Sequence, residues 1–76
     1  MKIKTTMEKV NEGLNLIQEG GGRVEVNGTA GNVSISGVEA RFLFDLDTDI
    51  LTVVIDDKPW LASDSMIEGK IREFFG

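Results

Sequence analysis

Ala40-Arg41-Phe42-Leu43-Phe44-Asp45-Leu46-Asp47-Thr48-Asp49-Ile50-Leu51-Thr52-Val53-Val54-Ile55-Asp56 is the stretch that decides the fold. Ala40, Phe42, Phe44 and Leu46 form one apolar row at every second residue, and Leu51, Val53 and Ile55 form another. A period of two is the signature of a strand with one buried face. Asp47-Thr48-Asp49 between the rows is hairpin-turn chemistry. The stretch therefore predicts two antiparallel strands, over about 39–46 and 50–56.

Working toward the N-terminus, the alternation continues. Val33 and Ile35 share a face in a strand over about 32–36, and Val24 and Val26 share one over about 23–27. Gly28-Thr29-Ala30-Gly31 reads as the turn between them, and Gly37 as a turn or bulge where the phase changes. Before the strands, Met7, Val10, Leu14 and Ile17 recur at spacings of three and four, which predicts an amphipathic helix over about 6–19. Thr5 with Glu8 fits a capping box for it, and Gly20-Gly21-Gly22 ends it. Gly13 in mid-helix costs about 1 kcal/mol against alanine, and its expected use is close approach of another backbone.

Toward the C-terminus, Pro59 cannot donate to a ladder, so the sheet should stop near Asp57. Ile67, Ile71, Phe74 and Phe75 then mark one face of a second helix over about 65–75, with Ser65 and Glu68 as its capping box. The expected architecture is a single α+β domain over 1–76: helix, antiparallel meander of three to four strands, helix, both helices on one face of the sheet.

Composition narrows the chemistry. The chain has 76 residues, no cysteine and no histidine. A domain this small buries only about 60% of its unfolded surface. Without histidine it lacks the commonest general base and metal ligand. Without cysteine it has no disulfide framework. Thirteen acidic against eight basic residues give a net charge of −5, which argues against nucleic-acid partners. Met1-Lys2-Ile3-Lys4-Thr5 is followed by no apolar run, so neither a signal peptide nor membrane insertion is expected, and a cytoplasmic location is the default.

Asp45, Asp47 and Asp49 have the spacing that opens a calcium loop, but the sixth and twelfth positions hold Ile50 and Asp56 rather than Gly and Glu. A solvated hairpin tip is the simpler reading. Asp56-Asp57 lies at the wet end of a strand beside Lys58, unsuited to acid–base work. The serines have no histidine to activate them. Gly20-Gly21-Gly22 runs from helix to strand, the reverse of a phosphate-binding loop. No catalytic, cofactor-binding or metal-ligating residue is expected, and no enzyme.

If Phe42, Phe44, Leu51, Val53 and Ile55 face inward, then Arg41, Leu43, Thr52 and Val54 face outward. Leu43 and Val54 are expected as neighbours on an uncovered face, with Ile50 and Trp60 nearby. Trp60 reads first as a plug over the end of the core and second as a partly exposed anchor. Leu43, Val54, Ile50, Trp60 and Arg41 are thus the candidate interface. The expected function is a non-enzymatic interaction module, a homodimer or protein-partner domain acting through the outer sheet face. One alternative is an acidic, phage-type or regulatory inhibitor that mimics nucleic acid. Another is apolar-ligand binding between sheet and helices, against which the size of the domain argues.

Val24-Glu25-Val26-Asn27-Gly28, Ser36-Gly37-Val38-Glu39-Ala40, Leu51 to Lys58, Lys58-Pro59-Trp60 and Ile67-Glu68-Gly69-Lys70-Ile71-Arg72-Glu73-Phe74 resemble a family of small bacterial proteins, the polyhydroxyalkanoate-system (granule-region) family. The chain departs from it in a shorter first helix and in the inserted Ala62-Ser63-Asp64-Ser65. The resemblance implies a helix, a three-stranded meander, a closing amphipathic helix and a non-catalytic role. It carries over no functional residues. Mid-helix Gly13 and the triple glycine are poor idealised choices, so a natural chain is expected rather than a designed one, and the resemblance implies a bacterial source.

Overall fold

The computed structural model describes all 76 residues. The chain is α+β: two helices and one five-stranded antiparallel sheet. In chain order the elements are β1 (Lys2–Lys4), α1 (Met7–Glu19), β2 (Arg23–Asn27), β3 (Ala30–Ile35), β4 (Val38–Asp45), β5 (Ile50–Asp57) and α2 (Asp64–Phe75). The strand order is β1-β5-β4-β3-β2.

The meander from β2 to β5 follows the alternation of the sequence, with boundaries moved by one or two residues. Ala30 and Gly31 belong to β3 rather than to the turn before it. That turn is only Gly28-Thr29, because Asn27 already faces Ala30. Ser36 leaves β3 for the next turn, where Ser36 and Gly37 both have positive φ, 53° and 81°. A two-residue hairpin loop with both φ positive matches the natural twist of the strands. Leu46 lies outside β4 and is exposed.

The sheet has a strand that periodicity does not predict. β1 is three residues long and pairs with β5, placing Ile3 opposite Leu51. Only Ile3 marks it as a strand, too little for a period, and the non-local pairing creates it. The chain therefore begins with a strand, and the meander of three to four strands becomes a sheet of five.

Both helix caps shift. Thr6, not Thr5, caps α1: its side chain accepts from the Lys9 N–H at 3.2 Å. Thr5 is buried instead. Its N–H donates to the Asp49 carbonyl and its hydroxyl to the Phe75 carbonyl, at 3.0 and 2.6 Å. Ser63, not Ser65, caps α2 and accepts from the Met66 N–H at 3.2 Å. Adjacent or alternate hydroxyls offer the same local chemistry, so the tertiary position of each helix start decides between them. The glycine stop holds: Gly20 is the C-cap of α1 and Gly21 has φ 91°.

One core joins the sheet and both helices. Ile3, Phe42, Phe44, Leu51 and Val53 from the sheet meet Val10, Leu14 and Ile17 of α1 and Phe75 of α2. Phe44, Leu51 and Val10 are the largest fully buried side chains, each contributing about 1.5–3 kcal/mol by leaving water. Gly13 marks where the helices touch. A Cβ there would lie 2.5 Å from the Phe75 ring and 2.7 Å from the Phe74 carbonyl oxygen. The expected close approach is real, and its partner is the end of α2.

Candidate functional site

α2 is held mainly at its C-terminal end. At its C-terminal end the Phe75 ring packs on Gly13, the Thr5 hydroxyl holds the Phe75 carbonyl, and the Lys9 ammonium donates to the Gly76 carbonyl at 3.3 Å. At its N-terminal end Lys58 pairs with Asp64 at 2.7 Å. The helix packs chiefly on α1 rather than on the sheet. The strand residues beneath it are short: Val33, Val38 and Ala40, with Ile35 beside them. The helix thus rests on α1, and the sheet beneath its middle is left partly uncovered.

The result is an open apolar groove of about 340 Å³. Its floor is Val33, Ile35, Val38, Ala40, Phe42 and Val53 of β3, β4 and β5. Its roof is the inner side of α2, with Ile67, Ile71 and Phe74. Ile17 of α1 also lines it. Of fifteen lining residues thirteen are hydrophobic, and the other two are Ser36 and Lys70. A groove of this volume is present even in a domain of 76 residues, because α2 leans on α1.

The mouth of the groove carries exposed apolar side chains. Met66 and Ala62 line it, and Trp60 and Leu61 directly precede Ala62. Trp60 is 88% exposed and Leu61 78%. The indole is not a plug over the core. The loop that carries it is turned outward, with the Pro59 ring against the Ser36–Gly37 hairpin: a Cβ on Gly37 would lie 3.2 Å from Pro59 Cγ.

The structure distributes the other candidate residues over the outer sheet face. Leu43 and Val54 are exposed and near one another, but diagonally: Leu43 faces Thr52, and Val54 faces Arg41. Together with Ala30 they line a shallow depression. The Arg41 Nε donates to both carboxylate oxygens of Asp56 at 2.9 Å. Asp56 shares the outer face with Val54, the partner of Arg41, and is the extra residue where the β4–β5 register shifts between Glu39 and Ala40. Ile50 opens β5 and Trp60 lies in the loop beyond its other end, with the eight-residue strand, roughly 20 Å long, between them. The five candidates therefore do not make one patch.

The acidic turn is built for its own backbone. The Asp45 carboxylate accepts the Asp47 N–H at 2.9 Å, the Asp49 N–H donates to the Asp45 carbonyl, and Asp49 has φ 57°. No three acidic side chains converge on a common point anywhere in the chain. No helix is long and apolar enough to cross a membrane.

The groove lies between sheet and helices, where the sequence offered apolar-ligand binding as an alternative, and α2 carries a local signal for it. The α2 stripe of Ile67, Ile71, Phe74 and Phe75 is wider than the part that becomes buried. Only Ile67 and Phe75 are buried, while Ile71 and Phe74 are half-buried. Comparison of the chain with protein-family models, with curated proteins and with solved structures gave no match.

Proposed function

We propose that this chain is a non-enzymatic binding domain, and that the groove between α2 and the sheet takes a small apolar molecule bearing one anionic group. The observation that carries this reading is the lining: a continuous apolar wall with a single charged side chain, Lys70. A volume of about 340 Å³ falls at the small end of ligand pockets, which run from about 300 to 1,000 Å³. Filling it would remove from water the apolar surface that α2 and the sheet leave facing each other. Lys70 has one partner, Glu73, at 3.5 Å on the exposed surface. That contact is weak and exchangeable, so the ammonium is free to meet a carboxylate. Ser36 supplies a second polar group.

Decanoate is a suitable probe. Calorimetric titration of the full chain should give saturable one-site binding. Ala62→Trp, which fills the mouth, should abolish it, and Lys70→Glu should weaken it several-fold. No saturable heat, or equal binding by wild type and Ala62→Trp, would refute the reading.

Self-association through the outer sheet face is the second reading. Leu43 and Val54 favour it, being 55% and 44% exposed with no helix above them. Leu43→Lys and Val54→Lys should then shift a dimer toward monomer in sedimentation.

A further inference from the structure

We infer that two copies of this chain join at the open edge of β2, extending the two sheets into one across a two-fold axis that passes through Val24. The inference is independent of the groove, and it places self-association at the sheet edge rather than on its outer face.

β2 is an outermost strand of the sheet. Its hydrogen-bond phase follows from one bond on β3. The Phe44 N–H donates to the Thr29 carbonyl at 2.8 Å, so the odd-numbered residues of β3 bond to β4. The even-numbered residues Ala30, Asn32 and Ser34 then bond to their partners Asn27, Glu25 and Arg23 on β2. The N–H and C=O groups of Val24 and Val26 consequently point away from the sheet. They form a row of free donors and acceptors, the template on which another strand can add.

Side chains select the partner and the register. Pairing that keeps the faces of the two sheets aligned requires residues of the same face to stand opposite one another. An axis through Glu25 sets the two Glu25 carboxylates against each other. An axis through Val26 sets Glu25 against Asn27. An axis through Val24 sets Arg23 of each copy against Glu25 of the other, two opposite-charge pairs on one face. On the other face it sets Val24 against Val24, and Val26 against Gly22, which brings no side chain and whose N–H stays on the Ile17 carbonyl at 2.9 Å, so the new ladder centres on the Val24 pair. Neither Arg23 nor Glu25 has an ion-pair partner within the chain, so both are available. Val26 is 48% exposed, and the bare Gly22 opposite it raises no clash. The opposite edge is less suited: β1 has three residues, and two of them are Lys2 and Lys4.

Sedimentation velocity of the full chain over a concentration series at low salt tests the arrangement. A monomer–dimer exchange is expected, weakening as salt rises. Arg23→Glu and Glu25→Arg should each weaken association by roughly tenfold, because each places like charges opposite one another twice. The double charge swap should recover it to within about threefold, since the facing pairs are complementary again. Val24→Pro removes an outward N–H without touching a bond to β3, and should also favour the monomer, with circular dichroism showing that the fold persists. A monomer at every concentration would overturn the inference. So would a dimer that survives both single charge changes but is lost in Leu43→Lys, or a double swap that restores nothing.

Discussion

The Phe75 ring lies against the bare backbone of Gly13, and this contact sets how closely α1 and α2 approach. Gly13→Ala opposes two effects of known sign. Helix propensity favours alanine by about 1 kcal/mol. Overpacking costs about 1–3 kcal/mol, and a Cβ 2.5 Å from the ring and 2.7 Å from a backbone oxygen belongs at the upper end, because the Phe74 carbonyl cannot turn aside. The variant should be less stable by about 1–2 kcal/mol in urea unfolding. A gain in stability would mean that the helices separate readily.

Thr5 ties the end of α2 to the start of α1 through its hydroxyl. Thr5→Val keeps the shape and leaves the Phe75 carbonyl buried without that donor. It should cost about 1–3 kcal/mol, and Thr5→Ser should retain most of the stability. Thr6→Ala removes the N-cap and should cost about 1 kcal/mol. Equal losses in Thr5→Val and Thr5→Ser would show that the methyl group matters rather than the hydrogen bond.

Trp60 is the one tryptophan of the chain and stands in solvent. Trp60→Ala should change stability by no more than about 0.5 kcal/mol. Its fluorescence in the native chain should resemble that of a hydrated indole. A blue-shifted emission, or a large loss of stability in Trp60→Ala, would return the side chain to the core.

The Arg41–Asp56 pair has good geometry but lies on the surface, with side chains 62% and 39% exposed. Arg41→Ala should cost less than about 1 kcal/mol. The effect should shrink as salt is added to a thermal melt.

At the Asp45–Ile50 turn, Asp49 holds a positive φ that aspartate tolerates and β-branched residues resist. Asp49→Gly should be neutral or slightly stabilising, and Asp49→Val should cost about 1–2 kcal/mol. Thermal melts of the two variants should move in opposite directions or differ by several degrees.

Strands β2 to β5 and both helices were legible because their signals are local. Val24, Val33, Phe42 and Val53 declare a face by alternation alone, and Leu14 and Ile67 do so at helical spacing. The lack of histidine and cysteine is also a property of composition, and it narrows the chemistry before any folding is considered. Other features depend on residues far apart in the chain. β1 exists because Ile3 finds Leu51. Thr5 is buried because Phe75 arrives seventy residues later. The groove exists because the end of α2 is held on Gly13 and Thr5 and the helix rests on α1 rather than on the sheet, and the free edge of β2 because no further strand follows it in the sheet. Periodicity records which face of an element is apolar. It does not record whether the element opposite comes close enough to cover that face, and this distance, set by anchors remote in sequence, was decided only by the tertiary structure.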